Sequence, residues 1–164
     1  MAVQPTPLQP LRHTRPTRSR PPRARRGLDA LPLWLRRVRV EVLLWAFHEG
    51  RVVDATALTA ILGAKHDRHD EPFTRWSRHT VRELLWVDVG RWCELRGSAA
   101  PASTAMTLWT VLDHLDATDG FAPGSDRLAL LREPLIDSGG VDPRTARASS
   151  RSTTRSRSPR SSRS

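Results

Sequence analysis

The clearest alternation of apolar and polar positions lies in residues 77–97. The apolar side chains recur at Val81, Leu84, Leu85, Val89, Trp92 and Leu95. Steps of three and four residues place them on one face of an α-helix, and a globular protein buries such a face. The pattern therefore predicts a helix at the centre of the domain, with a bend or a break at Gly90.

Four further stretches show helical spacing, and the chain has almost none of the alternation that strands need. We predict helices over residues 31–49 and 55–62, from Ser103 or Thr104, and from Ser125 or Asp126. Asp54 suits the N-cap of the second helix, while Gly50 and Gly63 suit the C-terminal caps of the first two. Residues 64–76 are polar without a period and predict a loop. The sequence thus predicts an all-α domain of about five helices over residues 28–142.

Several side chains have a predicted environment. Asp113, Asp116 and Asp119 are expected on the outward face of the fourth helix. The second half of the first helix is apolar on almost all sides and is expected to be buried on most of them. The six tryptophans stand in apolar runs, so they are predicted to anchor the core rather than to stack on bases. Pro134 is expected to kink or end the last helix.

The charge of the chain is concentrated at its two ends. The chain has 27 basic and 17 acidic residues, a net charge of +10. Residues 1–26 and 144–164 each hold seven arginines and no acid, whereas residues 27–143 hold all 17 acids. Neither end has the apolar content that would offset the entropy of ordering, so residues 1–27 and 143–164 are predicted to be disordered. A net charge of this size favours a nucleic-acid or membrane-surface partner.

The C-terminal 21 residues contain eight serines and seven arginines. This composition resembles the arginine/serine-rich tails of RNA-processing factors, which bind RNA or partner proteins and are regulated by serine phosphorylation. The resemblance implies nucleic-acid contacts for Arg151, Arg155, Arg157 and Arg160. A different origin of both ends is out-of-frame translation of a gene rich in G and C, which one lysine, 26 arginines and no tyrosine indicate.

Two short segments resemble the helix-turn-helix of bacterial regulators. Residues 57–63, ALTAILG, and 77–85, SRHTVRELL, are similar to the LAxxLG and SRxTVRxxL elements of that motif. The resemblance implies that Ser77 caps a recognition helix whose Arg78, His79 and Arg82 contact DNA. Thirteen residues separate the two segments here, whereas the motif has about three or four.

His66, Asp67, His69 and Asp70 form a compact set of metal-capable side chains. His-Asp pairs resemble those of helical metal-dependent phosphohydrolases, and the resemblance implies Asp113 or Asp116 as a distant further ligand. The four residues lie in a predicted polar loop, which favours a solvated segment over a metal site. We predict no cofactor.

The sequence favours a non-enzymatic protein that binds DNA or RNA. Cys93 is the only cysteine, so no internal disulfide is available, in agreement with a cytoplasmic location. A membrane partner is not expected, because charged residues interrupt the apolar stretch 31–49, which is shorter than the ~20 residues of a span. The alternatives are a protein-interaction module whose ends have no role and a metal-dependent hydrolase.

Overall fold

The computed structural model describes residues 31–139, and this part of the chain is helical. The elements are α1 (Leu33–His48), α2 (Ala55–Arg68), α3 (Arg78–Glu83), a π-helical turn (Leu84–Asp88), α4 (Val89–Glu94), α5 (Thr104–Ala117) and α6 (Leu128–Asp137). The segments α3, π-helical turn and α4 follow one another without a break, and we call them the composite helix. Within residues 31–139 there are thus five helices and no strand, which confirms the all-α prediction. Residues 1–27 and 143–164, predicted to be disordered, lie outside the described residues.

The end of α1 has the form that its sequence predicts. Gly50 has a φ of +64°, a conformation that favours glycine. The N–H of Gly50 donates to the carbonyl of Phe47, and the N–H of Arg51 donates to the carbonyl of Ala46. These two bonds are the Schellman motif, which satisfies carbonyl groups that the helix itself leaves free.

The second helix is longer than predicted. The side chain of Asp54 accepts from the N–H groups of Thr56 and Ala57, at 2.7 and 3.2 Å, and so caps it as expected. Gly63, however, lies inside the helix and does not end it. A Cβ atom there would stand 2.4 Å from the ring of Trp92, so glycine permits the close approach of α2 and α4. The prediction of a loop over residues 64–76 is therefore wrong for its first five residues.

The composite helix is widened before Gly90 rather than broken at it. A π-helical turn carries one more residue per hydrogen-bonded ring than an α-helix. Asp88, in this turn, is buried and accepts from Arg68 Nε at 3.3 Å and pairs with His69 Nε2 at 3.0 Å. These contacts attach the end of α2 to the composite helix. The π-helical turn and α4 pack against α2, while α3 packs against α6.

Helix α5 is the fourth helix when the composite helix is counted as one. It is the most buried helix, and it packs against α1, α2 and α6. Asp113 was predicted on its outward face, and that prediction is wrong. The Asp113 carboxylate is buried and forms ion pairs with both Arg51 and Arg132. Asp116 and Asp119 are exposed as expected. The arginine partners lie on distant parts of the sequence, so the spacing of the acids alone does not indicate the pairing.

The start of α6 differs from the predicted start at Ser125 or Asp126, and Pro134 does not end the helix. The helix begins at Leu128, and Asp126 instead accepts from the backbone N–H of Arg78, at 2.7 Å, at the start of α3. Pro134 lies within α6, which continues to Asp137. The segment before α6 therefore helps to fix the first turn of the composite helix.

Lys65, the only lysine of the chain, fixes the connection between α2 and the composite helix. Its ammonium group is buried, donates to the carbonyl of Arg75 at 2.9 Å and lies 4.6 Å from the ring centre of Trp76. Burial lowers the pKa of Lys65 from 10.5 to about 8. The folded protein therefore releases this proton at a lower pH than the unfolded chain.

We expect the free energy of unfolding to rise between about pH 8 and 10.5 because of Lys65, since the unfolded chain binds more protons in that range. The rise should be on the order of 2 to 3 kcal/mol. Burial raises the pKa of the Cys93 thiol, which acts in the opposite direction above pH 9. The measurement is therefore urea unfolding of a Cys93→Ala protein, and no tyrosine complicates it. A flat profile for Cys93→Ala, or the same rise after adding Lys65→Met, would contradict the assignment.

Candidate nucleic-acid interface

The first turns of the composite helix carry the side chains that the sequence predicts to contact DNA. Ser77 caps α3, because its hydroxyl accepts from the N–H of Thr80 at 3.0 Å. Val81 is buried and holds this part of the helix to the domain. Arg78, His79 and Arg82 are exposed. The three polar side chains are therefore available to a partner from the solvent side.

A groove lies beside these residues, between the composite helix and α6. It has a volume of about 290 Å³ and is lined by Arg78, Arg82, Trp86, Pro134 and Asp137. We call it the α3 groove. Trp86 is 62% exposed and Trp34 is 45% exposed, so the prediction that every tryptophan anchors the core is wrong for these two. Trp86 places an accessible aromatic ring next to two guanidinium groups.

Acidic side chains limit the positive charge of the α3 groove. Arg78 forms an ion pair with Glu133 at 3.1 Å, in which both side chains are about half exposed. Asp137 lines the same groove. Arg82 has no ion-pair partner among residues 31–139. The groove therefore offers one unpaired guanidinium and one aromatic face, and any strong ionic attraction must come from another part of the chain.

The described residues as a whole carry little net charge. Residues 31–139 hold 13 basic and 15 acidic side chains. Arg151, Arg155, Arg157 and Arg160, predicted to contact nucleic acid, lie outside the described residues. The positive charge of the protein thus resides in segments that flank the helical domain.

The geometry around α3 differs from the tight helix-turn-helix. Because α2 extends to Arg68, the separation before Ser77 covers residues 69–76, eight residues where the sequence indicated thirteen. This is still longer than the turn of about three or four residues in that motif. The neighbour of α3 is α6, whereas α2 packs against the later turns of the composite helix.

The metal-capable residues are dispersed rather than brought to one point. His66 and Asp67 lie on α2, not in a loop, and His66 stands edge-on to the Trp34 ring at 5.5 Å between ring centres. Asp67 accepts from the indole N–H of Trp92 and from Arg96, each at 3.1 Å. Within residues 31–139 no three His, Cys, Asp or Glu side chains are grouped so that they could hold a metal ion.

His69, the third of these residues, pairs with the buried Asp88, while Asp70 is exposed in the connection to α3. Asp113, one of the two candidates for the distant ligand that the resemblance implies, instead forms ion pairs with Arg51 and Arg132. The local sequence showed only that these groups are close along the chain. Their partners on the composite helix give two of the four a structural role.

A second exposed surface lies on α1. Leu33, Val40, Leu44 and Phe47 are exposed at helical spacing, and Phe47 is 79% accessible. We call this set the α1 apolar face. The prediction that the second half of the first helix is buried on most sides is therefore wrong. Trp34, at the start of the same helix, is also partly exposed, at the edge of the core.

In comparisons with known proteins, no protein-family model, no curated protein and no solved structure matches this chain. In the part of the chain from 31 to 139, each helix is too short or too polar to cross a membrane. The function is therefore inferred from the residues and contacts of this chain alone.

Proposed function

We propose that the protein binds nucleic acid without catalysing a reaction, and that it does so in the cytoplasm. The observation that carries the proposal is the division of charge: two acid-free ends with seven arginines each flank a helical domain of nearly balanced charge. Arginine guanidinium groups neutralise phosphates and release condensed counterions, and this release supplies most of the affinity of non-specific binding. No cofactor is needed for this activity.

The α3 groove supplies the second part of the proposed contact. The exposed ring of Trp86 offers a surface on which an unpaired base can stack, and Arg82 stands beside it to meet a phosphate. Exposed aromatic rings and guanidinium groups are the usual partners of single-stranded nucleic acid. The groove therefore favours a single strand over a duplex, whereas the arginine-rich ends attract both.

We expect Trp86→Ala to weaken the binding of single-stranded RNA and DNA by a factor of about 5 to 100, the range found for loss of one base-stacking contact. Arg82→Gln should weaken it by a smaller factor. The measurement is the fluorescence anisotropy of labelled oligonucleotides that are titrated with the full-length protein. Stacking predicts that duplex binding changes much less than single-strand binding.

Matched variants separate a contact from a general effect. Phe47→Ala removes a still more exposed aromatic ring from α1, and Arg91→Gln removes an exposed arginine from α4 of the composite helix. Both should leave affinity close to that of the unmodified protein. If Trp86→Ala behaves like Phe47→Ala, the α3 groove has no part in binding, and the arginine-rich ends act alone.

The α1 apolar face supports a second candidate, a protein-interaction module. Four large apolar side chains exposed on one helix form the kind of surface that a partner protein covers. Binding through this face depends on apolar burial and should persist at high salt, whereas binding through the ends should not. The two candidates thus differ in a single measurable property.

A further inference from the structure

A cavity of about 410 Å³ opens where α1, the start of α2 and the end of α4 meet. Its wall includes Arg39, Thr56, Thr59, Trp92, Cys93 and Arg96. This volume lies within the usual range for small-molecule sites, about 300 to 1,000 Å³. The cavity and the α3 groove share one element, the composite helix, and lie at its opposite ends. The other helices that line them differ: α1 and α2 line the cavity, and α6 lines the groove.

The charged side chains that line the cavity are all positive. Arg39 and Arg96 both reach it, and no acidic residue is part of the wall. A concave surface with one sign of charge concentrates ligands of the opposite sign. Arg96 forms an ion pair with Asp67, which is outside the wall, so Arg39 supplies the positive charge that favours an anion.

Both guanidinium groups are held in place by the surrounding structure. Arg39 donates from Nε to the Thr59 hydroxyl at 2.9 Å and from Nη2 to the carbonyl of Ala55 at 3.3 Å. Arg96 lies over the Trp92 ring, 3.8 Å from its centre, and donates to the Trp92 carbonyl and to Asp67. Its Nε is buried and has no hydrogen-bond partner among the described residues. Because both arginine side chains are already held in place, ligand binding would cost little of their side-chain entropy.

Most of the remaining wall is apolar, and Thr56, Thr59 and Ser98 are its polar members. Ala55, Ala60, the Trp92 ring and Cys93 form a surface on which a hydrophobic body can pack. The start of α2 adds little to anion binding, because Asp54 already accepts from the N–H groups of Thr56 and Ala57. The recognition of charge therefore falls to the guanidinium groups, and the recognition of shape falls to the apolar wall.

We propose that this cavity binds a small organic anion, with its carboxylate or phosphate group at Arg39 and Arg96 and its apolar body against Trp92 and Cys93. The inference is independent of nucleic-acid binding. It assigns a small-molecule site to the helical domain. Occupation of the site would join α1, α2 and α4 through one molecule.

The test is NMR titration of the full-length protein with four probes: 1-naphthoate, 1-naphthyl phosphate, 1-naphthalenemethanol and inorganic phosphate. The reporter is the indole N–H of Trp92, which donates to Asp67 beside the cavity and is assigned from its loss in Trp92→Phe. We expect at least one naphthyl anion to bind saturably. The neutral alcohol, which lacks the charge, and inorganic phosphate, which lacks the ring, should each bind at least about tenfold more weakly.

Variants locate the bound probe. Arg39→Gln should lower the affinity of the naphthyl anion by about tenfold or more, because a charge-assisted hydrogen bond is lost. Thr56→Phe, at an exposed position of the wall, should block the cavity without disturbing the core. Arg91→Gln, outside the wall, should have no effect.

The comparison of carboxylate with phosphate shows which head group the site prefers, and preference for either supports the proposal. Equal binding of the alcohol and the anions would overturn it. So would absence of binding at millimolar concentrations, or Arg39→Gln and Thr56→Phe proteins that bind as Arg91→Gln does.

Discussion

Replacement of the fourteen arginines of residues 1–26 and 144–164 by glutamine should lower the affinity for nucleic acid by on the order of 10³-fold at about 50 mM salt. Glutamine keeps a polar side chain but has no charge, so it cannot neutralise a phosphate. The helical domain that remains has more acids than bases, so it has no net attraction for a polyanion. The measurement is fluorescence anisotropy with one labelled duplex and one labelled single strand.

The control is replacement of the same fourteen residues by lysine, which preserves the charge. Because counterion release depends on charge rather than on the shape of the guanidinium group, the lysine protein should keep most of the affinity. Substituting one end at a time shows whether the two ends contribute equally. If the affinity of the glutamine-substituted protein is within about threefold of that of the unmodified chain, the ends are not the source of affinity.

Asp113→Ala should lower the free energy of unfolding by about 3 kcal/mol or more. The carboxylate of Asp113 is only 7% exposed and pairs with Arg51 and Arg132, which lie largely inside the domain. Its removal leaves two guanidinium groups without their shared counter-charge. Arg132 also lies over the Trp109 ring, 4.5 Å from its centre, so its displacement disturbs the core.

Asp116→Ala is the matched control for this substitution. Asp116 lies one turn further along α5 and is exposed, so its loss should change stability by no more than about 0.5 kcal/mol. Both variants are compared with the unmodified chain by urea unfolding. If Asp113→Ala and Asp116→Ala differ by less than about 0.5 kcal/mol, the ion pairs of Asp113 do not stabilise the domain.

Local sequence signals predict those features that depend on neighbouring residues. The Asp54 cap and the Gly50 end of α1 are examples, since the side chain or backbone involved acts on the next few residues. The apolar spacing of residues 77–97 identifies the central helix, since its period depends on the local geometry of the chain. Leu95 is the exception, because it follows the end of α4 and is exposed rather than on the buried face.

Features that depend on distant residues were missed. Gly63 has the local signature of a helix end, but its role is to admit the Trp92 ring, 29 positions later in the chain. Asp113 has the spacing of a solvent-facing acid, but its partner Arg51 is 62 residues away. The π-helical turn likewise has no marker in its sequence. Single-residue patterns carry no information on such pairings.

The candidate interface shows the same division. The sequence indicates Arg78, His79 and Arg82 through the resemblance of residues 77–85 to a recognition helix, and all three are exposed. The sequence does not indicate Trp86, since a tryptophan in an apolar run normally enters the core. Trp86 is nevertheless exposed, whereas Leu84 and Val89 of the same helix are buried.

The most direct test of the proposed function is the salt dependence of nucleic-acid affinity. It is measured on protein whose intact mass, determined by mass spectrometry, shows that both arginine-rich ends are present. We predict measurable binding at about 50 mM salt and a loss of affinity of about 10³-fold or more by about 200 mM, as expected when arginines displace counterions from phosphates. Absence of binding at low salt, or an affinity that does not change over this range, would contradict nucleic-acid binding through the ends. The α1 apolar face would then be the leading candidate for the contact surface of the protein.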